Sequence, residues 1–193
     1  MKTRFVSTIA ISCLISAGCG TSEPVEPTPA PQTSVPRPTS PPSVPAGADA
    51  RSYLSHVCDL LSPDERARFN VRGEPEQWTG HELSQCIWRG EEVELRFSLS
   101  ATRDPLVTSY QHAPMMQVWE PRTVEGQPAA ITSTHLPRST CELSVGTAPN
   151  QGISLSYNGK DTDVDWCGQA LEMGEIIVRR LRDAPPSSRA PTA

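Results

Sequence analysis

The distribution of proline constrains this 193-residue chain more than any other feature. Nine of its 20 prolines fall within residues 20–50, a stretch made otherwise mostly of Ser, Thr and Ala. Proline lacks the backbone N–H and has a fixed φ, so this stretch cannot sustain a helix or a sheet ladder. We therefore expect residues 19–50 to be a disordered linker and residues 51–183 to form one globular domain. Residues 184–193 should form a disordered tail.

The residues before the linker have the pattern of a bacterial export signal. Lys2 and Arg4 precede the apolar residues 5–17, a run too short to span a bilayer as a finished helix. The run ends in the small residues Ser16 and Ala17, and Gly18 stands directly before Cys19, the position at which bacterial lipoproteins receive their acyl chains. We expect residues 1–18 to be removed and Cys19 to carry lipid such as palmitate, which would hold the protein on the extracytoplasmic face of the cell membrane. The alternative is an ordinary signal peptide that happens to contain a cysteine.

The charge of the processed chain excludes one class of partner. Without Lys2 and Arg4, the 17 basic residues become 15 against 22 acidic ones, a net charge of −7. An acidic chain lacks the positive surface that binds phosphate backbones, so we expect no nucleic-acid partner. It also lacks a basic patch for anionic lipids, so membrane attachment would depend on the acyl chains.

The predicted domain has the pattern of an α+β fold. Apolar residues at helical spacing, followed by a capping-box start at Ser62, predict short N-terminal helices, and the last predicted helix spans residues 164–181. Alternating apolar residues predict strands, joined in one case by a hairpin loop at 148–152. We expect an antiparallel sheet of about five or six strands, covered on one face by the N-terminal short helices and the C-terminal helix. The strand predictions cover residues 93–99, 117–123, 129–133, 141–145 and 153–157.

Four cysteines lie in the predicted domain: Cys58, Cys86, Cys141 and Cys167. In an oxidising compartment an even number predicts disulfides, and three pairings are possible. We favour the two that are local in sequence, Cys58 with Cys86 and Cys141 with Cys167. The absence of a Cys-x-x-Cys motif disfavours the alternative, a zinc site.

At these cysteines the chain resembles a known family, the uncharacterised actinobacterial lipoproteins grouped only as a domain of unknown function. The resemblance covers residues 57–181 and implies a small disulfide-bonded α+β domain outside the cell, with no activity attached. Val57 departs from the family pattern, which often has Pro there. The segments that carry the resemblance are Cys58-Asp59-Leu60-Leu61, Cys86-Ile87-Trp88, Gly126-Gln127-Pro128-Ala129, Cys141-Glu142-Leu143-Ser144-Val145 and Cys167-Gly168-Gln169-Ala170.

One acidic run is a weak metal candidate. Asp161, Asp163 and Asp165 have the spacing that begins a calcium loop, but Trp166 occupies the position that requires glycine. Acidic residues ahead of a helix also satisfy its free N–H groups and its dipole, and we favour that interpretation.

The sequence contains no catalytic motif. The four histidines are far apart, and nucleophile-elbow, zinc-protease and phosphate-loop patterns are missing. The sequence leaves open a catalytic triad assembled from distant residues. We expect a protein that is not an enzyme and uses no cofactor. The histidines are His56, His81, His112 and His135.

Among the four tryptophans, Trp78 is the one in a polar segment that we expect to form a loop, and it is a possible contact residue. Trp88 and Trp166 adjoin cysteines, so we expect both in the core. These features favour a membrane-anchored binding or interaction module with an envelope-protein or cell-wall partner. The alternative is a carrier of lipid or another small apolar ligand, which requires surplus apolar lining that this composition does not supply.

Overall fold

The fold is known from a computed structural model that describes residues 37–45, 47–80, 82–133, 139–161 and 163–184. Within these residues seven strands form one sheet, and every neighbouring pair is antiparallel. The spatial order is β1-β2-β3-β7-β6-β5-β4, so β1 and β4 are the two edges. The strands are β1 (Glu76–Gly80), β2 (Leu83–Arg89), β3 (Val93–Ser100), β4 (Val118–Val124), β5 (Gln127–Ser133), β6 (Thr140–Ala148) and β7 (Gln151–Gly159).

The strand count corrects the predicted five or six. The five predicted ranges correspond to β3 through β7, so β1 and β2 are the additional strands, and β1 occupies the segment predicted to be a polar loop. Four of its five residues are exposed and the fifth is half-buried. An edge strand has a neighbour on one side only and contributes nothing to this core, so the apolar alternation that reveals inner strands is missing there.

The first face of the sheet carries the main core, as predicted. Two short 3₁₀ helices, Ala50–Tyr53 and Val57–Leu60, lie on it with α1 (Pro63–Arg68) and α3 (Trp166–Asp183). The predicted stripe of α3 is buried throughout, so the spacing identified the packed side of this helix correctly. The stripe consists of Trp166, Ala170, Met173, Ile177 and Leu181. Taking all described helices together, none is long and apolar enough to cross a membrane.

The second face is partly covered, which corrects the expectation of a sheet covered on one side. There α2 (Pro105–His112) and a 3₁₀ helix at Ala113–Met115 pack over β5 and β6. The Ser109 hydroxyl donates to Ser144 Oγ at 2.8 Å, and the buried Leu106 and Tyr110 pack with Ala130 of β5. With eight residues, α2 is too short for a clear apolar period.

The two disulfides are those favoured from the sequence. Cys58–Cys86 joins the 3₁₀ helix Val57–Leu60 to β2, and Cys141–Cys167 joins β6 to the first turn of α3. Each bridge therefore links a helix to the sheet, the contact for which a domain of this size has little spare apolar area.

Tertiary contacts begin upstream of residue 51. The described residues before the first 3₁₀ helix belong to no helix or strand, but Ala48 is buried and its N–H donates to Thr147 O at 3.3 Å. The Val44 side chain lies against β6, where a Cβ on Gly146 would stand 2.5 Å from Val44 Cγ2. We call the described residues of 37–48 the strap, because they pass over the second face of the sheet at Val44 and reach the main core at Ala48.

Glu65 gives a test of the contact between α1 and α3. It completes the predicted capping box with Ser62 and receives two hydrogen bonds of 3.0 Å from the Arg180 guanidinium. Partial burial raises the pKa of Glu65, but the hydrogen bonds from Arg180 and Ser62 lower it more, and the net pKa is below its ordinary value. The ionised form is therefore favoured in the folded state, and its stabilisation is lost as the pH falls through that lowered pKa.

We expect Glu65→Gln to reduce the free energy of unfolding at pH 7 by about 1.5–3 kcal/mol, the range for hydrogen bonds to charged groups. The difference from the wild-type protein should shrink as the pH falls through the lowered pKa. The control is Glu172→Gln, because Glu172 pairs with Arg68 while more than half exposed, and that loss should be at most about 1 kcal/mol. Urea unfolding at several pH values measures both, and equal losses would contradict the assignment.

Candidate binding surface

The predicted acidic run binds backbone groups. The Asp161 carboxylate accepts from the N–H of Asp163 at 2.8 Å, and Asp165 caps α3 by accepting from the N–H of Gly168 at 2.9 Å. Among the described residues no three His, Cys, Asp or Glu side chains group in a way that could hold a metal ion. The described geometry of this run is that of a helix entry.

Three other predicted positions, Cys19, His81 and His135, lie outside the described residues. Of the remaining histidines, His56 lies within hydrogen-bonding distance of Ser55, and His112 is the last residue of α2. These two rings belong to different elements and are exposed or half-buried. Their contacts suggest no shared chemistry.

Trp78 is the predicted contact residue that the structure places at the surface. It lies in the middle of β1 with 55% of its area exposed, whereas Trp88, Trp119 and Trp166 are at most 9% exposed. The core positions predicted for Trp88 and Trp166 are confirmed. Leaving the largest apolar side chain in water is unfavourable, which makes this exposure informative.

The Trp78 indole lies against its own strand. A Cβ added to Gly80 would stand 2.4 Å from indole Cη2 and 2.9 Å from Cζ2, so glycine leaves the space that the ring occupies. The strand is held from behind, because the Gln77 amide donates to Ser55 O at 2.8 Å and Gln77 pairs with the half-cystine Cys86. The exposed aromatic surface is therefore held on a supported strand.

A row of uncharged polar residues runs from Trp78 toward the middle of the sheet. Trp78 is paired with Gln85, Gln85 with Ser98, and Ser98 with Ser154, and paired residues in adjacent antiparallel strands share one face. The Gln85 amide donates to Ser98 Oγ at 2.9 Å. The row ends where Ser144 passes beneath α2. We call this surface the open face and define it by Trp78, Leu83, Gln85, Ser98 and Ser154.

The second helix forms a wall beside the open face. Where the sheet meets the start of α2, a cleft of about 250 Å³ is lined by side chains from both. Leu83 lines this cleft and is 38% exposed. It is paired with Gly80, over which the Trp78 ring lies, so the cleft and the ring are neighbours. The remaining lining residues are Ser98, Ser100, Thr102, Arg103, Pro105, Gly152 and Ser154.

The charged residues beside the open face pair with one another. Arg89 forms ion pairs with Glu76 and Glu94, and Arg96 forms one with Glu94. The Arg89 hydrogen bond holds the pKa of the Glu76 carboxyl below its usual range. These pairs neutralise the four charges, and the Glu142 carboxylate, which accepts from Ser154 Oγ at 3.2 Å, is a charged group bonded to the open face itself.

A larger cleft of about 600 Å³ lies between the strap and β4–β5. Its aromatic residue, Tyr110, is buried and packs edge-on against Trp119 with ring centroids 5.0 Å apart. Pro42, Pro45 and Pro128 supply much of the rest of the lining. Despite its volume, this cleft offers no exposed aromatic ring, so the open face is the better candidate.

We expect Trp78 to account for most of the iodide quenching of tryptophan fluorescence, because the other three rings are buried. Trp78→Phe should remove that quenchable fraction, and Trp119→Phe should leave it. Gly80→Ala should raise the quenching constant, since the new Cβ displaces the ring from the strand. Unchanged quenching in Trp78→Phe would contradict this placement.

Comparison with known protein families places the fold in context. Residues 14–180 match the family described as "Protein of unknown function (DUF3558)", a span that includes the sheet and most of α3. No curated protein and no solved structure matches the chain. Because the match covers well over half of the chain, this protein belongs to the DUF3558 family.

Proposed function

We propose that this protein is a lipid-anchored binding module on the extracytoplasmic face of the cell membrane and that it engages an envelope partner through the open face. The observation that carries the proposal is Trp78, 55% exposed on the half of the sheet that α2 leaves bare. Tryptophan is enriched among the residues that dominate binding energy at protein interfaces.

The construction of the open face supports a binding role. An indole has few rotatable bonds, and here it rests on a strand that is tied to a disulfide-linked neighbour, so little conformational freedom is lost on binding. The adjacent Gln85 and Ser98 supply donors and acceptors around the apolar ring. An apolar centre with a polar surround is the usual composition of a specific interface.

The lipid anchor is supported by the sequence pattern that ends at Cys19. A basic start, a short apolar run and small residues before a cysteine are the features expected of a processed lipoprotein. Two acyl chains hold a protein on a membrane stably, whereas one chain does so marginally. Disulfides in the domain fit an oxidising location outside the cytoplasm.

We do not propose the carrier function, because α3 packs directly on the middle of the sheet. A Cβ on Gly174 would lie 2.7 Å from Leu143 Cδ2, so the helix and β6 are in close contact. Met173 and Ile177 are fully buried in the same cluster as Leu155. This contact leaves no space for an acyl chain between α3 and β6.

Site-specific cross-linking in intact cells tests the open face. With a photoreactive amino acid at Leu83, we expect an adduct whose yield falls about tenfold or more in Trp78→Ala, as expected for loss of an interface contact worth about 1.4 kcal/mol or more. The control position is Glu175, exposed on α3. An identical adduct at Glu175, or a yield that is independent of Trp78, would contradict the proposal.

Fractionation of cells tests the anchor separately. We expect Cys19→Ser to move the protein from the membrane fraction to the soluble exported fraction, because the acyl chains would supply the attachment. Cys13→Ser, in the part of the signal that is removed, is the matched control and should stay in the membrane fraction. Retention of Cys19→Ser in the membrane would mean that another anchor exists.

A further inference from the structure

The turn at the C-terminal end of α2 has no role in the proposed function. It combines an exposed apolar side chain, the attachment of the strap and a local lack of acidic residues. We define the tether turn as Ala113–Met116, which includes the 3₁₀ helix after α2. Met115 in this turn is 71% exposed, more than any other large apolar side chain in the described part of the chain. The strap reaches the domain at the same turn.

Arg37 attaches the strap to the tether turn. Its guanidinium Nη1 donates to Ala113 O at 2.7 Å and to Met116 O at 2.9 Å. These carbonyls follow the end of α2, where a cation is favoured by the free C=O groups and the helix dipole. The chain that arrives from Cys19 is therefore held at this turn before it crosses the second face of the sheet.

The length of the remaining tether limits how far the tether turn can lie from the bilayer. Cys19 and Arg37 are 18 residues apart, which allows a separation of at most roughly 65 Å when fully extended and roughly 25 Å as a flexible coil. A short tether confines the domain to an effective concentration in the millimolar range, so a weak contact with the lipid surface suffices to orient it.

The local charge favours a phospholipid surface. Residues 105–119 contain no Asp or Glu, although the chain as a whole is acidic, and Glu120, which follows them, is paired with Arg122. The Arg37 guanidinium and the His112 side chain lie at the end of α2. An anionic headgroup layer at this turn would therefore meet a positive charge and no carboxylate from this segment. Methionine is flexible and polarisable and adapts to irregular apolar surroundings.

We infer that the tether turn rests on the bilayer and that the Met115 side chain enters the interface between headgroups and acyl chains. The inference rests on the proposed lipid anchor at Cys19. Met116 lies two residues before β4, whereas Trp78 lies on β1 at the other edge of the sheet. Six strand spacings separate these edges, about 29 Å. Contact at the tether turn therefore presents the open face with Trp78 far from the lipid.

Fluorescence on vesicles tests the inference. The full lipidated protein carrying Met115→Cys is labelled with an environment-sensitive nitrobenzoxadiazole dye, since its other domain thiols are in disulfides. The vesicles contain phosphatidylcholine and phosphatidylglycerol, with or without lipids spin-labelled near the headgroup. We expect a blue-shifted emission and quenching by the shallow spin label, because interfacial side chains penetrate about 5–10 Å.

The matched control is Glu74→Cys, which carries the same dye in the exposed loop before β1 at the opposite edge. We expect quenching at position 115 to exceed that at position 74 several-fold. Equal quenching at both positions in protein that floats with the vesicles would overturn the inference and leave the anchor standing. Protein that does not float would overturn the anchor and the inference together.

Discussion

The contact between α3 and the middle of the sheet is the interaction on which the other helices of the first face depend. Glycine makes the contact close at two points: Gly174 faces Leu143, and a Cβ on Gly159 would lie 2.2 Å from the Trp166 ring. The Cys141–Cys167 bridge ties the first turn of the same helix to β6. Larger side chains at these glycines would force α3 away from the core, where even small changes in packing are costly.

The position of α3 in turn holds the N-terminal elements. Near its C-terminal end Arg180 donates both to Leu60 O and to the Glu65 carboxylate, which joins the 3₁₀ helix Val57–Leu60 and α1 to it. The Cys58–Cys86 bridge fixes that 3₁₀ helix to β2. The open face is thus supported from the opposite side of the sheet by a continuous set of contacts.

Asymmetry of the second face gives the domain two different surfaces. Where α2 and the strap cover β5 and β6, the strap ties the chain arriving from the N-terminus to the tether turn and to β6. Beyond α2 no described helix covers the second face of β1, β2 and β3, and Trp78 is the exposed aromatic residue that the structure describes there. Anchoring and binding are therefore assigned to opposite edges of one sheet in the function that we propose.

The sequence by itself determined the features that depend on local periodicity and local chemistry. Three features were predicted correctly: the alternation in residues 93–99, the stripe of α3 and the capping box at Ser62. Each depends only on residues that are close together in the sequence. Proximity along the chain also favoured the two disulfides that the structure contains. The resemblance to a family known only as a domain of unknown function was confirmed by the match over residues 14–180.

Only the tertiary structure decided which surfaces are free and which are covered. The edge strand β1 was missed because its residues face water on both sides, and α2 was missed because it is short and buries few residues. The exposure of Trp78 depends on Gly80 beneath its ring, and the docking of the strap depends on Gly146 beneath Val44. At Trp78 and at Val44 the deciding partner is a glycine, which has no side chain of its own. A residue pattern cannot show which side chain will occupy the space that the glycine leaves.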